Sequence, residues 1–294
     1  MDLATAAAAP EPASSLAAQT LSRRDFERLA SFIHGYCGIK MPPSKRTMLE
    51  GRLRRRLKAT GAATFAEYCE RLFDGGDLGA ETVHLIDAVT TNKTEFFREP
   101  EHFRVLAETV LPAWVAAGRG RPRAPLKVWS AGCSIGAEAY TIAMVCAAYE
   151  GEGGPVDARI VGTDICTEVL QAAVLGIYPD SMLGPVPAAL KRRFVRRAKD
   201  KGAGVSRISP DLRSRAAFGR LNLMDASYPT DRDFDVVFCR NTLIYFDKPT
   251  QKAVLGRLCA HLKPGGHLFL GHSETLAGFD LPLRVVGPTT FVRT

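Results

Sequence analysis

Between Ser22 and Gly38 the apolar residues Phe26, Leu29, Ala30 and Ile33 recur at three- and four-residue steps, the spacing that places them on one face of a helix. Ser22 offers an N-cap and Gly38 a stop. The same reading predicts helices over about Ser44–Ala59, Phe65–Phe73 and Ala80–Val89, so residues 21–89 form a small all-α domain. From Leu126 onward the period changes. Short β-rich runs at Leu126–Ser130, Ala158–Thr163, Ala217–Leu221, Asp235–Cys239 and His267–Leu270 alternate with helical stretches, the order of a parallel α/β sheet. Leu283–Val286 and Thr290–Arg293 flank Gly287-Pro288 and close the chain as a hairpin.

Three stretches break this pattern. Residues 1–20 are rich in Ala, Pro and Ser without apolar periodicity and read as a disordered tail. Residues 90–125 read as a linker carrying a polar motif. Between 176 and 215 strand and helix stop alternating: Phe194–Arg197 and Val205–Ile208 flank a turn-rich connector, which predicts a small antiparallel β insertion in a domain spanning 126–294.

Composition narrows the class. At 294 residues with 46% hydrophobic content the chain can bury a sizeable core. No run approaches the roughly 18 apolar residues of a spanning helix, and no Lys or Arg precedes Arg23 to begin a signal peptide. A cytoplasmic protein without membrane insertion is expected. The seven cysteines are scattered singly, and the six histidines show no metal-ligand spacing; no metal is expected. A net charge of +8 favours an acidic partner.

The candidate chemistry gathers at strand ends. Gly132 and Gly136 bracket the turn after the first strand in Val128-Trp129-Ser130-Ala131-Gly132-Cys133-Ser134-Ile135-Gly136-Ala137-Glu138, where small residues let backbone approach a ligand. The spacing is not that of a dinucleotide site. Asp164 ends the second strand, as a helix cap or as an acceptor for two ribose hydroxyls. Glu138 is a helix-start acid or a ligand contact. Asn222-Leu223 follows the third strand and Arg240-Asn241 the fourth, so all converge on the carboxyl edge of the sheet. Tyr245 is a buried aromatic or an active-site residue. The helix at Ser44–Ala59 holds seven cations against the single acid Glu50; with Leu49, Leu53 and Leu57 as its buried stripe, Lys45, Arg52, Arg55 and Arg56 project elsewhere, as a solvated face or a docking surface.

Two runs are the most specific: Thr90-Thr91-Asn92-Lys93-Thr94-Glu95-Phe96-Phe97-Arg98-Glu99-Pro100 and Phe238-Cys239-Arg240-Asn241-Thr242-Leu243-Ile244-Tyr245-Phe246-Asp247. In this order with the glycine turn they resemble the chemotaxis-receptor methyltransferase (CheR) family from about Leu21 to the C-terminus. Lys93 and Glu95 stand where the family commonly has glutamate and phenylalanine. The resemblance implies a Rossmann-like methyltransferase sheet with a terminal antiparallel strand, behind a helical substrate-docking domain. It implies S-adenosyl-L-methionine as cofactor, S-adenosyl-L-homocysteine as product, and glutamate side chains of a chemoreceptor cytoplasmic domain as acceptors. The cofactor pocket would comprise Asn92, Thr94, Arg98, Gly132, Glu138, Asp164, Asn222, Leu223, Arg240 and Asn241, with Arg98 and Tyr245 orienting acceptor and methyl group. Lys45, Arg52, Arg55 and Arg56 would meet the receptor's methylation helix, and the β insertion a receptor C-terminal peptide. An RNA methyltransferase would also suit the positive charge, and a non-catalytic cofactor-binding regulator would keep the pocket; nucleic acid is not the expected partner.

Overall fold

The structure is a computed structural model that describes residues 20–118 and 125–294. The tail expected over 1–20 lies, apart from Thr20, outside the described residues, as do residues 119–124 of the stretch read as a linker. The chain divides after Val89 into two compact units.

The first unit is helical. Helix α1 (Arg23–Cys37) starts where the Ser22 hydroxyl accepts the Asp25 amide and ends on Gly38 in the left-handed conformation, burying Phe26, Leu29 and Ile33. Helix α2 (Arg46–Thr60), entered through a 3-10 turn at Pro43–Lys45, buries Leu49 and Leu53 and stops on left-handed Gly61. Leu57 is only half-buried. Helix α3 (Phe65–Phe73) is capped by the Thr64 hydroxyl, and α4 (Leu78–Val89) completes the unit.

In the second unit the stretch read as a linker is helical from Pro100 to Ala116: α5 (Pro100–Val105), a π-helical turn (Leu106–Val110) and α6 (Leu111–Ala116). Phe103, Leu106, Val110, Leu111 and Trp114 carry their side chains into the core. Strands β1 (Leu126–Ala131), β2 (Ala158–Asp164), β6 (Ala216–Arg220), β7 (Phe234–Cys239), β8 (Leu262–Leu270), β9 (Leu283–Gly287) and β10 (Thr290–Arg293) form one sheet in the order β6-β2-β1-β7-β8-β10-β9. The first five are parallel, and β10 runs antiparallel between β8 and β9. All six residues of β7 are buried, as expected of a central strand covered on both faces. Each apolar side chain there contributes roughly 1.5–3 kcal/mol. Helix α7 (Ala137–Glu152) packs in the core on one face, and α11 (Lys248–His261) in that on the other.

After α8 (Thr167–Leu175) the insertion appears as a three-stranded antiparallel sheet in which β5 (Val205–Ile208) lies between β3 (Ile177–Pro179) and β4 (Val195–Arg197). Short helices α9 (Ala188–Phe194) and α10 (Pro210–Arg213) flank it. Among the described residues no helix is long and apolar enough to cross a membrane.

Candidate functional site

The turn after β1 begins where the Gly132 and Cys133 amides both donate to the Thr163 carbonyl, at 2.8 and 2.9 Å. Gly132 has φ +80, and a Cβ there would stand 2.4 Å from the Thr242 hydroxyl. Only glycine fits that approach. Ser134 then enters the left-handed region with φ 50. Its amide donates to Asp164 Oδ2 at 2.9 Å, and its hydroxyl to the Asn92 carbonyl at 2.9 Å. Asp164 Oδ1 accepts the Cys166 amide at 3.0 Å. The acid at the end of β2 is therefore buried and anchored by backbone amides of the two loops beside it.

Arg240, its side chain 2% exposed, lies between two carboxylates: Nη1 is 3.0 Å from Glu138 Oε2, and Nη2 is 3.0 Å from Glu99 Oε2. Nη2 also donates to the Arg98 carbonyl. The guanidinium lies over the Phe103 ring, 5.3 Å from its centroid, while Nε is buried without a protein partner. Glu138 also accepts the Ser130 hydroxyl at 2.7 Å, and Glu99 accepts Asn241 Nδ2 at 3.2 Å. Burial works to raise the Glu99 carboxyl, but hydrogen bonds from Asn241 and Arg240 and the charge of Arg240 outweigh it and hold the pKa below its ordinary value. Residues 102 and 141 positions apart in sequence thus become one ionic network.

The fold also brings ligand atoms of Glu99, His102 and His272 within 4.8 Å of one another, a grouping that sequence spacing does not reveal. Arg240 already holds Glu99 Oε2, the oxygen 3.6 Å from His102 Nδ1 and 4.0 Å from His272 Nε2. A divalent cation would meet that guanidinium at close range. Burial and the Arg240 charge lower the His102 pKa to about 4, leaving its ring neutral at pH 7.

Asn92 and Thr94 are half-buried, and the Asn92 amide reaches Cys166 Sγ at 3.5 Å. Half-buried Arg98 directs Nη1 to the Lys93 carbonyl at 3.1 Å. Leu221 bonds to the Asp164 carbonyl at 2.9 Å, which sets the buried Asn222 and Leu223 beyond the end of β6. Tyr245 ends a 3-10 turn (Leu243–Tyr245) and is half-buried. Of the six non-glycine residues with positive φ among the described residues, four, Phe97, Glu99, Ser134 and Asn241, belong to these loops. Such concentrated backbone strain marks functional loops.

The cations of α2 are not equivalent. Arg56 makes a two-pronged ion pair with Glu81, both contacts at 2.7 Å, and Glu81 also accepts the Tyr68 hydroxyl at 3.0 Å. These residues wall a cleft of about 390 Å³ within the first unit. Arg52 donates to the Val89 carbonyl. Lys45 reaches the Lys40 carbonyl at 3.4 Å, whereas Arg55 is exposed.

Sequence reasoning passed over Ser134, Glu99 and Glu274 as site residues. Ser134 and Glu99 stand inside the quoted motifs and Glu274 outside them, but only the fold shows what each holds: Glu274 lies two residues past His272 and accepts three amides.

S-adenosylmethionine, a cation with a ribose diol and an amino acid end, fits a strand-end carboxylate, a glycine turn and a buried network of acids and amides. Asp164 would take the diol, Glu138 and Asn92 the polar groups, and Asn222 with Leu223 the adenine. The seven-stranded sheet and this loop set define a S-adenosylmethionine-dependent methyltransferase.

The chain belongs to the CheR methyltransferase family: residues 92–292 match the model for its SAM binding domain and residues 24–90 that for its all-alpha domain. It is 37% identical over 270 residues to chemotaxis protein methyltransferase 2 of Pseudomonas aeruginosa, covering 92% of this chain and 93% of that one. It is 37% identical over 295 residues to the chemotaxis protein methyltransferase of Klebsiella aerogenes, covering 99% and 98%. With that of Borreliella burgdorferi it shares 34% over 272 residues, covering 92% and 94%.

Proposed function

We propose that this enzyme transfers the methyl group of S-adenosylmethionine to glutamate side chains in the cytoplasmic signalling region of chemoreceptors, forming methyl esters, and that it works in the cytoplasm where those regions lie. The reading rests on end-to-end similarity, through both units, to relatives named chemotaxis protein methyltransferases. None of these relatives is named for RNA.

The chemistry is consistent with an anionic acceptor. When bound, the cofactor supplies an electrophilic methyl group. A glutamate, with an ordinary pKa of about 4.3, is already a carboxylate at neutral pH and needs no general base. Alignment is then the enzyme's task, and positioning can supply roughly 7–11 kcal/mol in favourable cases. In this reading Arg98 attracts and turns the carboxylate, Tyr245 borders the reacting methyl, and the Arg240 network holds the loops that carry both. Exposed cations of α2 attract the acidic receptor helix. The insertion offers β3 as an edge strand, with Ile177 exposed, on which a receptor tail peptide could add.

The decisive experiment supplies radiolabelled S-adenosylmethionine to purified receptor cytoplasmic domains. Label on the receptor that is released by mild base is the expected result. Base-stable label, or label on RNA alone, would remove the glutamate-ester reading.

A further inference from the structure

Glu274 sits in the turn after β8 with 6% of its surface exposed. Its Oε2 accepts the Gly271 amide at 2.7 Å and the Asn241 amide at 3.0 Å, and its Oε1 accepts the Leu243 amide at 2.7 Å. One side chain therefore holds two backbone groups of the loop that follows β7, 31 and 33 positions away. The Thr242 side chain provides no cap for the turn Leu243–Tyr245, so Glu274 supplies it from the turn after β8. Packing enforces the same placement. A Cβ on Gly271 would lie 2.5 Å from Asn241 Nδ2, and one on Gly132 would lie 2.4 Å from Thr242 Oγ1. The loop is seated between two glycine turns, with Asn241 at φ 56.

We propose that Glu274 is a positioning residue for methyl transfer: its carboxylate holds the Asn241–Tyr245 loop in the strained conformation that sets Asn241 against the cofactor and Tyr245 beside the transferring methyl. It rests on the roles given to those two residues above. Three amide donors converging on one carboxylate also explain how this acid is accommodated, although burial raises its pKa above the ordinary value.

The test is Glu274→Gln in the full-length enzyme. Whichever way the amide turns, its NH2 faces amide donors on one side, so part of the clamp is lost. At saturating cofactor, kcat per cofactor-binding site should fall about 10- to 100-fold, with the receptor KM changed less than about twofold. Calorimetric stoichiometry with S-adenosylhomocysteine counts the binding sites, so a loss of folded enzyme does not register as a loss of kcat. Gly271→Ala leaves the carboxylate intact but drives a Cβ into Asn241, and should reproduce the kcat loss. If Glu274→Gln does not fold, Gly271→Ala decides. Wild-type kcat per site in whichever variant folds overturns the proposal. Should wild-type enzyme prove not to methylate receptor carboxylates, the acceptor reading fails separately. The proposal is then judged on S-adenosylhomocysteine affinity, where a several-fold loss in Glu274→Gln supports it and an unchanged Kd overturns it.

Discussion

Asp164 anchors two backbone amides, Ser134 N and Cys166 N, and so shapes the loop before any ligand arrives. Replacing it with alanine removes a charged acceptor whose hydrogen bonds contribute about 1.5–3 kcal/mol each. Cofactor affinity should fall at least about tenfold in Asp164→Ala, and less in Asp164→Asn, by calorimetry. His102 gives a pH signature. The unfolded chain protonates this residue near 6.5, whereas burial and Arg240 hold the folded value to about 4. Stability is therefore full above pH 6.5 and is lost as pH falls toward 4, by at most about 3 kcal/mol. Glu99, held below its ordinary value, adds loss in the same direction at lower pH. The melting temperature should drop between pH 7 and 5, and by less in His102→Gln. At this scale the place of Asp164 at the end of β2 was legible, because an acid at a strand end after a glycine turn is a local signal. Glu274 was not, since its partners lie on another loop.

Elements reveal a different limit. The periodicity of α1 and the Ser22 and Gly38 stops sufficed to locate that helix, because caps and buried faces are written within a few residues of one another. The helices from Pro100 to Ala116 went unread although their apolar residues recur at helical spacing, since the polar motif before them suggested a linker. In α2 the sequence separated a buried stripe from a cationic side but could not tell a paired arginine from an exposed one. Arg56→Glu should destabilise the protein by about 3 kcal/mol, because it leaves Glu81 buried without its cation. Arg55→Glu should shift stability by no more than about 0.5 kcal/mol. In the proposed docking role it would raise the receptor KM while leaving cofactor affinity intact. Thermal denaturation and steady-state kinetics on the two variants check both statements.

Over the whole molecule, a net charge of +8 acts at longer range than any single contact. If receptor recruitment is electrostatic, raising salt from about 0.05 to 0.3 M should lower the rate at limiting receptor, as the Debye length shortens below about 10 Å. Cofactor affinity should change little, because the site's ion pairs are buried. The sequence by itself determined the helical first unit, the strands of the large sheet, the place of the insertion and the motifs at the strand ends. Hydrophobic period, caps and glycine turns are local, and each is expressed within about a dozen residues. Only the tertiary structure decided the strand order, the insertion of β10 between β8 and β9, and the seating of Arg240 between Glu99 and Glu138. Those pairings join residues far apart in the chain, and a buried charge takes its partner from whatever the packed strands bring within reach.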